Sequence, residues 1–466
     1  MRTAGKIFIN QYVEENFKIS SDLFTSVEGR KFENWIERSM TVSSVDTTDN
    51  EIVFATEHDF SNNDQVDFYT AGTYPTGISA ATRYFVIYVD SLTIKLSLTF
   101  SGSAVDITGA GSGTFYVRRF SGYETLDLIN NAPYIIESVL RDEVFKEHNL
   151  LIDEVVTKYD ELIVSGLKKN IDDWYNGSII LDRNISMKVN VLDYNGSSNM
   201  LTTDSTVFEP HVANDVIEIY NIRGSKKIDC STFDYIGNTA DGKRDGWTFG
   251  ASIHKNISVS QLINTLLFES HCIMTLSSGK YKLFALDDDN VVATWTNPLK
   301  INGREGILSQ LTPIENVYNN FVIKWKHDIG SNDYQRKLIV NRNVPSGYLT
   351  ANNGVGDYER NLCRWSYKNY NFEKTYEYGC AFIYDDATAE KFIVRLIRWL
   401  YKRRLIVTWN ADFGNYIKYE IGDVVKLDYN RYIPASMRAS SSFMIIGKSI
   451  HARNVPYITF SLIEID

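Results

Sequence analysis

The chain has 466 residues, 44% of them apolar, and a net charge of −10, with an isoelectric point near 5.4. That length exceeds what one compact core fills and implies roughly three domains. The apolar fraction and a total of only 8 prolines exclude a disordered chain, and the acidic balance excludes the broad basic face of a nucleic-acid binder.

Aromatic residues make up 13%, with 29 tyrosines and 24 phenylalanines. Half-buried β positions and protein interfaces share that bias. The four cysteines, Cys230, Cys272, Cys363 and Cys380, stand far apart. Such spacing gives neither a disulfide framework nor a zinc ribbon and suits reduced thiols. Ile7-Phe8-Ile9 is too short for a signal peptide, and no stretch approaches the ~20 apolar residues of a membrane span. Folding in a cytoplasm, with any exit by lysis, is the expectation.

Residues 41–119 are rich in Thr, Ser, Gly and aromatics. Short strands are predicted at Ile52-Val53-Phe54, Val66-Asp67-Phe68-Tyr69, 84–89, 93–98 and Thr114-Phe115-Tyr116-Val117, separated by the turns Asn62-Asn63-Asp64, Tyr74-Pro75-Thr76-Gly77, Asp90-Ser91 and the glycines of 109–113. Closely spaced short strands with Gly-rich turns indicate a small all-β barrel, here set into a parent domain as an insertion.

Three helices follow. The first begins near Pro133, with Ile136, Val139, Leu140 and Val144 at helical spacing. The second starts at Ser258, with Gln261 completing a capping box and Leu262, Ile263, Leu266 and Leu267 as its apolar stripe. The third starts near Asp386. Its stripe is Phe392, Ile393, Leu396, Ile397 and Leu400, and Arg395, Arg398 and Lys402 are expected to solvate the opposite face. Arg403 and Arg404 extend this densest basic run, which suits a helix C-terminus.

After the second helix, 272–276 and 281–284 read as a hairpin closed at Ser278-Gly279-Lys280. Further strands are predicted at 291–295, 405–409, 424–428, 443–446 and 457–465. No strand–helix–strand rhythm points to a parallel sheet. The fold class is α+β, mainly β, with several antiparallel barrel or sandwich domains and a few packed helices.

Chemical motifs are weak. Gly447-Lys448-Ser449 lacks the earlier glycine of a phosphate-binding loop, since Ser442 stands there, and a strand rather than a helix follows. The glycines of 109–113 also open into a strand, with no helix N-terminus to hold a pyrophosphate. Asp287-Asp288-Asp289 lacks the glycine and distant glutamate of a calcium loop, so a solvated turn is the favoured reading. His271 and Cys272 are adjacent, and on a strand they would face opposite ways, which excludes a nucleophile–base pair. His254 is separated from His271 by a whole helix, so a zinc site has little support. Asn176-Gly177-Ser178 and Asn195-Gly196-Ser197 match a glycosylation pattern but read as turns without secretion. No catalytic, cofactor-binding or metal-binding residue is expected, and no cofactor.

The module at 41–119 resembles a small β-barrel common in phage tail and fibre proteins, on His58-Asp59-Phe60, Asp64-Gln65-Val66, Tyr74-Pro75-Thr76-Gly77-Ile78, Tyr84-Phe85-Val86 and Lys95-Leu96-Ser97-Leu98. The remainder resembles the hub proteins that close phage tails. The features that carry this are 131–137, Ile228-Asp229 before Phe233-Asp234, the Ser258 helix leading to Ser278-Gly279-Lys280-Tyr281, the run 316–322, the helix at 387–404 and Glu420-Ile421-Gly422-Asp423-Val424-Val425.

The resemblance implies a division into 1–40 (first part of a hub domain), 41–119 (inserted barrel), 120–255 (continuation of the hub domain), 256–345 (an α+β hub domain) and 346–466 (a β-rich domain with one long helix). It implies homotrimers whose barrels form a pseudo-hexameric ring around the DNA exit channel. Tail tube or distal tail proteins and fibre or tip proteins would be the neighbours. Because many such hubs carry a hydrolase or fibre region after this point, any hydrolase is expected on a separate chain.

The expected function is therefore a non-enzymatic component of a bacteriophage tail tip, a hub or baseplate protein of the virion assembled in the host cytoplasm. A receptor-binding or adhesion protein is the alternative, with Tyr69, Tyr74 and Tyr88 of the barrel stacking on host sugars. The third is an envelope polysaccharide hydrolase, which would need two opposed carboxylates in a cleft or a repeated β-helix, and no fixed repeat is present.

Overall fold

The computed structural model describes residues 39–119, 129–157, 161–167, 175, 178–182, 187–203, 216–220, 227–238, 242–250, 257–301, 304–328, 333–345, 357–429, 441–451 and 456–465, positions 56, 59, 61, 81, 100, 278 and 289 aside. The fold is mainly β with packed helices, as expected. It divides into two compact units, one within Gly29–Ile129 and Tyr134–Asp241, the other within Asn130–Pro133 and Gly242–Asp466.

The first unit contains two closed barrels. Strands β1 (Ser39–Asp46), β2 (Glu51–Phe54), β3 (Gln65–Thr70), β4 (Tyr84–Tyr88), β5 (Thr93–Ser97) and β6 (Phe115–Arg119) close in the order β1-β2-β5-β4-β3-β6. The two-residue alternation of the sequence becomes an inward row of Ile52, Val66, Phe68, Val86, Ile94, Leu96 and Val117, all nearly inaccessible. A buried ion pair, Arg119 to Asp64 at 2.8 Å, lies at the rim, with the guanidinium 5.0 Å over the Phe60 ring. Gly77 takes a φ of +106°, and a Cβ there would sit 2.1 Å from the Asp106 carbonyl oxygen, so this turn requires glycine.

Helix α1 (Ala132–Val139) starts where Pro133 predicts it. It ends earlier than its apolar spacing suggests. Leu140 and Val144 belong to a π-helical turn, Leu140–Phe145, that runs directly into β7 (Lys146–Thr157). With β8 (Glu161–Ser165), β9 (Ile179–Asp182), β10 (Met187–Asn195), β11 (Met200–Thr203) and β12 (Val216–Tyr220), β7 closes a second barrel in the order β10-β11-β8-β7-β12-β9. Inside it Tyr175 and Tyr194 meet edge to face at 4.8 Å, and the Tyr175 hydroxyl donates to Glu147 Oε1 at 3.0 Å. A short helix α2 (Cys230–Gly237) follows.

In the second unit Ser258 caps α3 (Val259–Glu269), its Oγ accepting the Gln261 N–H at 3.2 Å. Leu262, Ile263, Leu266 and Leu267 are buried as the stripe predicts. The expected hairpin follows as β13 (Cys272–Ser277) and β14 (Lys280–Ala285), with Ser277 opposite Lys280 and Cys272 opposite Ala285. Then come β15 (Val291–Trp295), the two-residue strands β16 (Lys300–Ile301) and β17 (Arg304–Glu305), β18 (Ile307–Leu311), β19 (Asn320–Asp328) and β20 (Asp333–Asn341). Helix α4 (Asp357–Tyr370) leads to β21 (Thr375–Gly379), and α5 (Asp386–Leu400) to β22 (Leu405–Asp412). A single turn α6 (Phe413–Tyr416), β23 (Val424–Leu427), β24 (Ser442–His451) and β25 (Tyr457–Glu464) complete the unit.

Six of these strands form one sheet, ordered β15-β23-β24-β25-β22-β18, and three form another, β20-β19-β21. Trp295, Trp409, Phe443 and Phe460 fill the larger core, with Trp295 and Phe460 rings 4.9 Å apart. Two strand pairs depart from the antiparallel expectation: β15 pairs parallel with β23, and β19 with β21. In each pair the partners are distant in sequence, and local periodicity carries no information about such pairing.

Helix α4 escapes the sequence reading for a physical reason. Its inward face includes Leu362, Cys363 and Ser366 but also the charged Glu359 and Arg360, all buried, so its apolar stripe is too thin to show.

Candidate functional site

The second unit contains a cleft of about 260 Å³ beside α4 and α5. Its floor is a chain of ion pairs. Arg244, inaccessible to solvent, donates to the carbonyls of Ser270 at 2.6 Å and His271 at 3.0 Å. It also reaches Asp287 Oδ1 at 2.6 Å. The other oxygen of Asp287 accepts from Arg395 Nε at 2.6 Å. Burial by itself would raise the Asp287 carboxyl, but the Arg244 and Arg395 guanidiniums hold it well below the usual carboxylate range.

The expectation that Asp287 lies in a solvated turn is therefore corrected: it bridges two arginines. Asp288 pairs with Lys243 at 3.3 Å, and Asp289 lies outside the described residues, as does His254. Among the described residues no three His, Cys, Asp or Glu side chains gather as a metal site would need.

The basic run is corrected too. Arg395, Arg398 and Lys402 do not simply solvate α5. Arg398 Nε and Nη2 both donate to Glu359 Oε1 of α4, at 3.1 and 2.7 Å. Lys402 pairs with the buried Glu464 at 2.6 Å. Arg403 and Arg404 lie beyond the helix end. Arg403 Nε donates to the Thr312 carbonyl at 2.6 Å, and Arg404 donates to the carbonyls of Trp399, Glu464 and Arg398. These contacts cross between elements distant in sequence, which a helical wheel cannot display.

His271 takes a left-handed φ of +54° at the turn before β13, and its ring meets Trp399 edge to face at 5.6 Å. Burial pushes its pKa down to about 3, so the imidazole is neutral. Burial also raises the Cys272 thiol, and Cys272 Sγ lies 3.3 Å from the Ser270 carbonyl. A thiol held protonated is a poor nucleophile.

The other motif residues have structural roles. Gly447 and Ser449 sit inside β24, and Lys448 Nζ donates to the carbonyls of Ile417 and Tyr419 at 2.6 and 2.7 Å. The 109–113 glycines fold back on 73–76 through bridges of Thr76 to Gly109 and Thr73 to Ser112. Asn195 Oδ1 accepts the Ser197 N–H at 3.0 Å, so that tripeptide is a turn. Asn176 and Gly177 lie outside the described residues.

Of the three tyrosines, Tyr74 packs half-buried against the barrel core, while Tyr69 and Tyr88 are 42% and 46% exposed. One face of the Tyr69 ring is covered by the Arg118 guanidinium, 4.7 Å from its centroid, and Tyr116 lies 6.3 Å away.

The sequence did not nominate Tyr358 and Trp399, which line the cleft, nor Arg244 and Glu359, which hold its Asp287 and Arg398. No local pattern marks them, because α4 itself was hidden and Arg244 lies in a polar turn.

The solved structures similar to this chain are phage tail, baseplate and virion proteins. A tail protein from Neisseria meningitidis is 11% identical over 47% of this chain, with a TM-score of 0.30, and the chain spans 58% of that protein. A 43 kDa tail protein of a Shewanella oneidensis prophage is 8% identical, covering 92% of this chain and 93% of its own, at a TM-score of 0.28. A prophage tail protein from Listeria monocytogenes is 10% identical, covering 91% and 94%, at 0.25. No family model matches the chain, and no curated protein matches it.

Proposed function

We propose that the chain is a non-enzymatic structural component of a phage tail tip, a hub or baseplate protein acting as a homotrimer at the end of the tail tube. One observation carries this reading. Large apolar side chains stand out on several separate strands and helices: Leu308 is 62% exposed, Tyr358 60%, Leu98 and Leu192 59%, Tyr384 55% and Ile450 54%. We read these side chains as candidate contacts with neighbouring tail subunits.

The ionisable groups of the cleft agree with that role. Its carboxylates are held by arginines or lysines, an arrangement that stiffens a scaffold. Barrel domains would form the ring around the exit channel, and a net charge of −10 suits a wall that does not grip passing DNA.

The test is mass photometry of the purified chain together with immunogold labelling of tail particles. Trimers and label at the tail tip are the expected result. A strictly monomeric chain that is missing from assembled tails would overturn the proposal.

A further inference from the structure

We propose that the cleft beside α4 and α5 docks an acidic, apolar-flanked peptide segment of a partner tail protein. The cleft is walled by Tyr358, Leu362, Trp399, Tyr401 and Ile465, and the guanidiniums of Arg395 and Arg398 enter it. Aromatic rings beside arginine are the composition of binding hot spots.

Arg398 is engaged on one edge of its guanidinium, and Arg395 at Nε and Nη1. Arg395 uses Nε on Asp287 and Nη1 on the Lys391 carbonyl. Arg398 uses Nε and Nη2 on Glu359. Among the described residues, Arg395 Nη2, Arg398 Nη1 and the hydroxyls of Tyr358 and Tyr401 have no hydrogen-bond partner. The cleft's own carboxylates are already held: Asp287 between Arg244 and Arg395, and Asp288 against Lys243. The open groups thus include two charged guanidinium donors, and the ligand chemistry that matches them is a carboxylate.

The rim extends the same surface. Trp365, 45% exposed, meets Tyr401 edge to face at 5.6 Å, and Tyr358 lies under Arg398 at 5.4 Å. The side chain of Arg398 is 56% exposed, so an incoming carboxylate reaches it without rearrangement. Aliphatic side chains flanking that carboxylate would rest on Leu362 and Ile465. This wall favours a peptide over a phosphate or a sulfated sugar, which present little apolar surface.

This inference rests on the assembly reading but is tested without particles, so the two can fail separately. The full chain is titrated by fluorescence anisotropy with a labelled, N-acetylated octapeptide alternating aspartate and leucine, against the same peptide with lysine for aspartate. Saturable binding of the aspartate peptide alone is expected, weakened about tenfold by Arg398→Gln and by Tyr358→Ala. Circular dichroism verifies that both variants fold. Equal binding of the two peptides, or affinity unchanged in both variants, overturns the proposal. Displacement by an equal concentration of heparin tetrasaccharide also overturns it, in favour of a polyanion. Loss of self-association in Arg398→Gln without peptide binding overturns it in favour of a second copy of the chain.

Discussion

Glu269, the last residue of α3, accepts the backbone N–H of Phe382 on Oε2 at 2.9 Å. Its Oε1 accepts the N–H of Ala381 at 2.6 Å and the hydroxyl of Tyr378 at 3.1 Å. A fully buried carboxylate thereby ties a helix end to the loop between β21 and α5. Replacing it by Gln would place an amide donor against a backbone donor. A loss of about 2–4 kcal/mol is expected in urea unfolding of Glu269→Gln at neutral pH.

The same carboxyl confers a pH dependence. Burial raises its pKa from 4.5 to about 7, against the donors from Ala381, Phe382 and Tyr378 that favour the charged form. Because the folded value lies above the unfolded one, the native state holds the proton more tightly. Its contribution is fully present below about pH 4.5 and is lost as pH rises through 7. The wild-type chain should lose on the order of 3 kcal/mol from this group between pH 4.5 and 8. Glu269→Gln should flatten that part of the profile, and equal slopes in the two proteins would refute the assignment.

Asp287 has the opposite sign. Its folded pKa is depressed, so its contribution is present above the ordinary carboxylate value and disappears as pH falls. Asp287→Asn leaves the buried Arg244 and its neighbour Arg395 without their shared anion, and a loss of about 3 kcal/mol is expected. A double-mutant cycle with Arg395→Met separates the pair's coupling from the cost of the stranded Arg244 charge. Coupling near zero would show that the bridge contributes nothing.

The helix caps give a milder effect. Asp385 accepts the Thr388 N–H at 2.8 Å and its hydroxyl at 3.0 Å. Asp385→Ala should cost about 1 kcal/mol, read as a lowered urea midpoint with unchanged slope.

Leu308 separates folding from assembly. At 62% exposed on β18, its change to Asp should alter stability by no more than about 0.5 kcal/mol. Self-association, followed by sedimentation velocity, should weaken. Unchanged association would remove Leu308 from the interface.

Local order was largely legible from the residues. Alternation over 52–117 determines a row of inward side chains, and closure of the barrel gives each of its strands a partner on both edges. Ser258 with Gln261, and the Phe392–Ile397 stripe, announce their helices through capping and 3.6-residue spacing. The cleft was not legible. Its Tyr358 and Leu362 sit on a helix whose buried face is partly charged, and its Arg395 looks like an ordinary surface residue of an amphipathic helix.

The sequence by itself thus determined the short strands of the 52–117 stretch and the helices that start at Ser258 and Asp386, with the side chains they bury, since these depend on neighbours a few residues away. Only the tertiary structure decided that β21 runs parallel to β19, that Asp287 stands between Arg244 and Arg395, and that Arg398 meets Glu359. Those contacts join residues tens of positions apart, and their energies depend on burial and direction, which exist only once the chain has closed on itself.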